Sequence, residues 1–384
     1  MGIISSSFVR NCWYVAGFSH DFPADRIESR KIAGDPVVLY RRSDGHLAAL
    51  ADRCAHRHAP LSLGRVEGDD LRCMYHGLKF SPDGTCVEIP GQDRIPDRSC
   101  VRSYPLVEKG GWVWIWMGQS DACDPGLIPP VCDFDDPEWV QSSGQLDYEA
   151  PYELINDNLL DLSHLAFVHA DSFGATTGWS DRQPRHTLLD RGIRVERWIE
   201  AAPPIPPLPQ LSASDTVDIR SCYEFHIPGI FLMRTSFHRT GAAKAADWGD
   251  PVDEELFAHY SCQSVTPIDM RRSRTLFSWG PGAAFGDRAM AQQMIHQSQR
   301  HHRFGNRRGA NAHAGIVTAL GDDLDGVAVS VDRTPRPGDA RGRLERQMRD
   351  QCLARADSPE HAAGVIGKEA LGRHLVAMFA AALG

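Results

Sequence analysis

No apolar run in the sequence approaches the ~18–20 residues that a membrane-crossing helix needs, so a bilayer is not expected as its surroundings. Positive charge is also scarce: 41 Lys and Arg stand against 50 Asp and Glu, a formal net charge of −9 over 384 residues. Nucleic acids and anionic lipid surfaces bind basic faces, which leaves small molecules and other proteins as the expected partners. A Gly-rich dinucleotide fingerprint is missing, and with it the usual phosphate cradle for a nicotinamide or flavin. The segment from Met1 to Arg10 lacks the basic flank and apolar core of a secretory leader, so the expected location is the cytoplasm. Ten cysteines are scattered without paired spacings, which argues against a disulfide framework in a chain this long.

What is present suffices for two domains of ordinary size. Up to Gly118 the text reads as short strands with turn punctuation: Trp13–Ala16, Pro36–Tyr40, His46–Leu50 and Trp112–Trp116, with Ser43-Asp44-Gly45 and Pro82-Asp83-Gly84 as turns. The alternation of Trp112, Trp114 and Trp116 puts three indoles on one strand face, the pattern of a core or of packing between domains. A Pro- and Asp-rich stretch, Asp121 to Pro137, reads as a linker. Beyond it come a helix-like run from Tyr152 to His169, strand-like segments at Thr216–Phe225, Ile230–Phe237, Phe257–Val265 and Arg274–Trp279, and helical texture at Ala289–His302 and Leu371–Leu383. The expected fold class is α+β: an all-β domain over 1–120, then a domain of antiparallel sheet covered by helices over 121–384.

The chemistry concentrates between Cys54 and Phe80, where Cys54-Ala55-His56-Arg57 and Leu61-Ser62-Leu63-Gly64 precede Cys73-Met74-Tyr75-His76-Gly77-Leu78-Lys79-Phe80. Two thiolates and two imidazoles from two short loops can hold a metal centre, and a structural zinc is one way to use them. Zinc fingers usually keep both cysteines in one pair and both histidines in the other, whereas here each loop supplies one of each. That order suits a Rieske cluster, in which two histidines replace two cysteines on one of two irons. These motifs resemble the Rieske domain of aromatic-ring-hydroxylating oxygenases, nearest the vanillate and dicamba O-demethylase oxygenases. The resemblance implies that Cys54, His56, Cys73 and His76 bind a [2Fe-2S] cluster. Ala55 departs from it, standing where the family usually has proline. Pro90-Gly91 matches a third loop that covers the cluster in the family, or is a plain turn.

A second constellation runs Asp157-Asn158-Leu159-Leu160-Asp161-Leu162-Ser163-His164-Leu165-Ala166-Phe167-Val168-His169. Histidines five apart lie about 140° apart on an ideal helix, so they share an ion only if the helix is broken between them. The pattern resembles the mononuclear Fe(II) site of the same family, a facial triad of two histidines and a carboxylate. By that resemblance His164 and His169 are ligands. Asp161 would bridge an iron histidine to a neighbouring subunit's Rieske histidine, and Asn158 matches a polar residue close to the iron. The third ligand departs from the pattern: in the text Phe304-Gly305-Asn306-Arg307-Arg308 an asparagine stands where relatives carry an acid. Asp287, Asp322, Asp323 and Asp325 are the alternatives in reach, and the Gly- and Asn-rich texture of 305–314 predicts a weak helix.

The resemblance therefore implies the terminal oxygenase of a multicomponent system. It would take electrons from a separate NAD(P)H-dependent reductase or a ferredoxin, use O2 on an aromatic substrate, and assemble as a homotrimer. O-demethylation or hydroxylation of an aromatic acid or ether is the expected reaction. The alternatives are angular or ring dioxygenation of a diaryl ether or aromatic acid, a Rieske electron-transfer protein with an impaired iron site, and a zinc-stapled binding module. Ile230–Phe237, Tyr260–Val265 and Leu159–Phe167 are expected to line the substrate site, with Arg234 and His238 as candidates to hold a substrate carboxylate.

Overall fold

Alternation along single strands passes one apolar core on to the next, and this is how the chain builds layers. The structure is a computed structural model and describes residues 8–160, 162, 165, 178–181, 183–204, 211, 212 and 214–308, with backbone alone at 180, 181 and 300–308. The first ten strands are β1 (Trp13–Phe18), β2 (Glu28–Ile32), β3 (Asp35–Arg41), β4 (Leu47–Ala51), β5 (Arg65–Glu67), β6 (Asp70–Arg72), β7 (Lys79–Phe80), β8 (Cys86–Glu88), β9 (Leu106–Lys109) and β10 (Trp112–Trp116). They form three small sheets, β1-β10-β9, β2-β3-β4 and β5-β6-β7-β8. The two expected turns are present. At Gly45 the backbone takes φ +84°, the Asp44 carboxylate accepts from the His46 amide at 3.0 Å, and β3 passes into β4. At Gly84 φ is +89°, and a Cβ there would lie 2.0 Å from the Val101 carbonyl oxygen, so only glycine fits.

Seven further strands make one antiparallel sheet in the order β11-β17-β16-β15-β14-β13-β12: β11 (Ser142–Tyr148), β12 (Arg185–Leu189), β13 (Gly192–Ala202), β14 (Val217–His226), β15 (Ile230–Arg239), β16 (Phe257–Asp269) and β17 (Arg272–Pro281). Helix α1 is described over Tyr152–Leu160, and α2 runs Arg288–Arg308 against β11 and β17. The α+β class holds. The four expected strands are there, three of them longer than their sequence pattern and β14 of the expected length but shifted by one residue, and α2 outruns the expected Ala289–His302. The helix expected at Leu371–Leu383 lies outside the described residues, as does the continuation expected from Leu160 to His169 apart from 162 and 165. Among the described residues no helix is long and apolar enough to cross a membrane.

The layers follow from strand parity. On β3, Val38 and Tyr40 join the core that holds Cys54 and Cys73, while Val37 and Leu39 join the next core. On β10, Val113 and Ile115 belong to that second core, whereas Trp112, Trp114 and Trp116 face a third. This third core is shared with Ile230 and Leu232 of β15, Cys262 of β16 and Leu276 of β17, so the tryptophan strand packs onto one face of the large sheet. Phe231 and Met233 of β15 point to the opposite face, where Tyr152 and Leu160 of α1 cover Tyr223, Phe225 and Val265. Ile128 and Cys132 from the expected linker are buried in the third core.

Candidate metal centres

The two Cys/His loops share one backbone design. In the first, between β4 and β5, the Cys54 amide donates to Ala59 O at 2.9 Å and the His58 amide to Cys54 O at 3.0 Å. In the second, between β6 and β7, the Cys73 amide donates to Leu78 O at 2.8 Å and the Gly77 amide to Cys73 O at 3.2 Å. The equivalent fourth positions, His58 and Gly77, both take a left-handed backbone, at φ 58° and 76°. Each loop thus folds its cysteine inward and its histidine outward. Cys54 and Cys73 are each 2% exposed, while His56 and His76 stand at the surface with ring centroids 4.5 Å apart, edge to face. Burial raises the pKa of the Cys54 thiol and the adjacent Cys73 thiol raises it further, while the His56 and Arg57 amides pull it down.

This sorting suits one of the two metal readings better than the other. One tetrahedral zinc draws four donors to a single point. The donors instead pair off, two soft thiols inside and two imidazoles outside, as a two-iron cluster with one Cys₂ and one His₂ iron requires.

Two residues that sequence reasoning missed hold these loops. The buried Asp52 carboxylate accepts from the Ser62 amide at 2.7 Å, the Ser62 hydroxyl at 2.6 Å and the Ser29 hydroxyl at 2.9 Å, tying the Leu61–Gly64 end of the first loop to β2. Arg72 donates to Gly77 O at 2.7 Å and binds both oxygens of Glu88 at 2.9 and 2.8 Å and Glu67 at 2.8 Å. The Arg72 guanidinium and Lys79 hold the Glu88 carboxyl down at about 2. Each of the two has partners in other strands, so no local motif announces it. Pro90 packs over the second loop, since a Cβ on Gly77 would lie 2.8 Å from its Cγ; this suits the expected covering loop.

The second constellation starts on α1. Buried Asn156 donates to Pro228 O at 3.1 Å, the Tyr223 hydroxyl donates to Leu160 O at 2.6 Å, and Asn158 is half-buried. Burial drives the carboxyls of Glu153 to about 7 and Asp157 to about 6, so both hold protons far above the usual carboxylate range. Asp161, His164 and His169 lie outside the described residues. Asn306 belongs to helix α2, so the expected weak helix forms at least to Arg308. Asp287 accepts from the Met290 amide at 2.9 Å as a cap on the N-terminus of α2, 19 residues and thus about 28 Å of helix away from Asn306. Asp322, Asp323 and Asp325 lie outside the described residues.

The expected carboxylate anchors are corrected. Arg234 is bidentate to Glu255 at 2.7 and 2.8 Å with its guanidinium over Trp139, and His238 is fully buried between Ser236 at 2.9 Å and Asp253 at 3.0 Å. Parity explains this, because both share the face of Leu232, away from α1.

Residues 12–105 match the profile of the Rieske [2Fe-2S] domain, and residues 148–304 match that of the vanillate O-demethylase oxygenase C-terminal domain. The iron-sulfur subunit of the toluene-4-sulfonate monooxygenase system of Comamonas testosteroni is 47% identical over 193 residues, 50% of this chain and 56% of the relative. The oxygenase component of dicamba O-demethylase from Stenotrophomonas maltophilia is 40% identical over 187 residues, 48% of this chain and 54% of the relative. The chain spans about half the length of the curated relatives it matches. The crystal structure of dicamba monooxygenase bound to 3,6-dichlorosalicylic acid superposes with a TM-score of 0.71 at 26% identity, covering 91% of this chain and 99% of that one. Dicamba monooxygenase has also been solved with non-haem iron and dicamba, with a TM-score of 0.65 at 25% identity. The cofactors that go with these two domains are a [2Fe-2S] Rieske cluster and a mononuclear iron. With both domain profiles in sequence and that fold throughout, the chain carries a Rieske [2Fe-2S] domain followed by a vanillate O-demethylase oxygenase C-terminal domain and is similar to the vanillate and dicamba O-demethylase oxygenases.

Proposed function

We propose that this chain is the terminal oxygenase component of a multicomponent system and oxidises an aromatic substrate with O2, by O-demethylation or hydroxylation of an aromatic acid or ether. The observation that carries the reading is the pairing of two buried thiols with two exposed imidazoles, on loops packed against β3 and β4, with β10 between that layer and the large sheet whose far face carries α1. Cys54, His56, Cys73 and His76 are the proposed cluster ligands, His164 and His169 the proposed iron ligands, and the boundary between the two domains is placed at 120/121. When bound, the cluster supplies single electrons and the iron supplies oxygen activation.

The chain's own residues do the rest. Burial of Cys54 and Cys73 keeps water from the thiolate side, and the exposed His56 and His76 make the electron port. Asp161 is the proposed bridge from that port to the iron histidines, fixing ring orientation by hydrogen bonding. Electrons come from a separate NAD(P)H-dependent reductase, directly or through a ferredoxin, in the cytoplasm. One observation favours a second reading: with Asn306 on α2 in place of an acid, the chain serves as an electron carrier with an impaired iron site. Reductase-coupled O2 uptake with a panel of methoxybenzoates, phenoxybenzoates and unsubstituted aromatics separates the two. Uptake with formaldehyde release supports demethylation, ring-oxidised product without formaldehyde supports dioxygenation, and reduction of the cluster without substrate-dependent uptake supports the carrier.

A further inference from the structure

The two ligand loops are anchored by groups of opposite charge, and only one of these charges is offset on the spot. At the second loop, Arg72 holds Gly77 O at 2.7 Å, and its guanidinium is met by both oxygens of Glu88 and by Glu67. At the first loop, Asp52 has no such company. Its Oδ1 accepts from the Ser62 amide at 2.7 Å, and its Oδ2 accepts from the Ser62 and Ser29 hydroxyls at 2.6 and 2.9 Å. All three donors are neutral, and among the described residues Asp52 forms no ion pair. Of the described residues from 8 to 120, it is the one buried Asp, Glu, Lys or Arg, at 8% exposed.

A buried carboxylate without a counter-charge is expensive to hold, and a neutral amide could tie Ser62 to β2 equally well. The place of this charge suggests its use. Asp52 stands two residues before Cys54, and two residues of chain separate Cα atoms by at most about 7 Å. The carboxylate thus lies on the order of 10 Å from the Cys54 thiol, which is itself 2% exposed. The potential of an iron–sulfur cluster follows the net charge, the hydrogen bonds and the solvent around it. A cluster that takes up an electron becomes more negative, so a fixed anion nearby opposes the uptake. Two unit charges about 10 Å apart, at an effective dielectric constant of about 20, interact strongly enough to move a one-electron equilibrium roughly tenfold.

We propose that Asp52 sets the reduction potential of the Rieske cluster: its uncompensated carboxylate disfavours the added electron and holds the potential low. The couple exchanges one electron, taken from the donor protein and given up to the iron site, and no bond forms or breaks at Asp52. A lower potential makes the reduced cluster a stronger donor toward the iron and asks more of the reductase that fills it. Asp52 is a positioning residue, because it touches neither substrate nor cluster and acts through the field at the first loop. The inference rests on the Rieske reading of the two loops and is independent of which oxidation the oxygenase performs.

A redox titration of the holoprotein, followed by its visible spectrum, tests this. Asp52→Asn removes the charge and little else, since Oδ1 still accepts from the Ser62 amide and Nδ2 donates to the two hydroxyls, which turn to accept. Its cluster is expected to titrate at a higher potential by about 59 mV, the tenfold shift converted for one electron. Ser29 is exposed, so Ser29→Lys brings a cation to the carboxylate from the solvent side. That variant leaves Asp52 in place and should raise the potential in the same direction by a smaller amount, so the test stands even if Asp52→Asn loses its cluster. Ser62→Ala removes a hydrogen bond and no charge, and should stay within about a twofold shift of the wild type. Unchanged or lowered potentials in both charge variants would overturn the inference. A Ser62→Ala shift as large as that of Asp52→Asn would also overturn it, by assigning the effect to the fit of the loop. A wild type without a Rieske spectrum would remove the cluster and this inference together. A raised potential in Asp52→Asn, in a protein that takes up no O2 with any aromatic, would instead sink the oxygenase reading and leave Asp52 in its role.

Discussion

Cys54, His56, Cys73 and His76 each hold one of only four protein bonds to the proposed cluster. Cys54→Ser or His76→Ala is therefore expected to yield protein without Rieske absorption or acid-labile sulfide, and full absorption in either variant contradicts the ligand set. The fourth residue of each loop tests the shared backbone design. Gly77→Ala forces a side chain into φ 76° with its Cβ 2.8 Å from Pro90 Cγ, which should cost ~1–3 kcal/mol and loosen the second loop. His58 already bears a side chain at φ 58°, so His58→Gly relieves strain there and should leave stability unchanged or raise it by up to about 1 kcal/mol. Denaturant titrations followed at the cluster absorption check both, and a stabilising Gly77→Ala would refute the geometry. The two Cys/His loops were legible because Cys-x-His and Cys-x-x-His are local spacings set by one turn each. Asp52 and Arg72 were not, because their partners Ser29, Ser62, Glu67, Gly77 and Glu88 lie on other strands and loops.

Among the elements, α1 carries the clearest pH signature. Glu153 and Asp157 lie one turn apart on it, and burial lifts their carboxyls to about 7 and about 6. In the unfolded chain both lose their protons near their ordinary values of 4.5 and 3.8, whereas in the folded helix they keep them. The folded state thus binds more protons across this window, so its stability is greatest below about pH 4 and is lost as pH rises toward 7. Amide hydrogen exchange over 152–160 should be faster at pH 8 than at pH 6 after correction for intrinsic rates, and Glu153→Gln should shrink the difference; an unchanged difference would contradict the cause assigned here. Strand legibility followed local composition. β14 to β17 alternate apolar and polar residues and were readable. β11, Ser-Ser-Gly-Gln-Leu-Asp-Tyr, has little strand propensity, and it is made by pairing with β17, whose Phe277 ring lies 2.6 Å from where a Cβ of Gly144 would stand. β13 was hidden by Arg194, Glu196 and Arg197, charges that suggest a solvated segment until cross-strand partners are known. Glu224 takes Arg194 at 2.6 Å and Arg220 takes Glu196 at 2.5 Å.

At the scale of the whole molecule, the layered cores separate the two proposed metal sites. Between the core of Cys54 and Cys73 and the core under α1 stand the sheets of β3, β10 and β15, each handing its alternate residues to the next layer. Stacked sheets lie about 10 Å apart, which puts the Cys54 and Cys73 core on the order of 30 Å from the core under α1. Electron transfer falls steeply with distance, so in the homotrimer expected from the sequence the exposed His56 and His76 would serve another copy better than their own. Leu63, Met74 and Tyr75, exposed by 64, 55 and 61%, sit beside that histidine pair and suit a contact. If Asp161 bridges the copies, Asp161→Asn should keep both metals and slow single-turnover oxidation of the reduced cluster by at least about tenfold. A sharper test uses two crippled chains. Cys54→Ser removes the cluster and His164→Ala the iron, so each homotrimer alone should be inactive. In a head-to-tail ring assembled at random from equal amounts of the two, about a quarter of the sites pair an intact iron with a neighbour's intact cluster. Co-expressed chains should then recover about a quarter of wild-type turnover per chain under that statistical closure. Recovery is possible only if electrons cross between copies; a mixture as inactive as its parents, although sedimentation shows mixed trimers, would confine the electron path to one chain and break the argument from the layers.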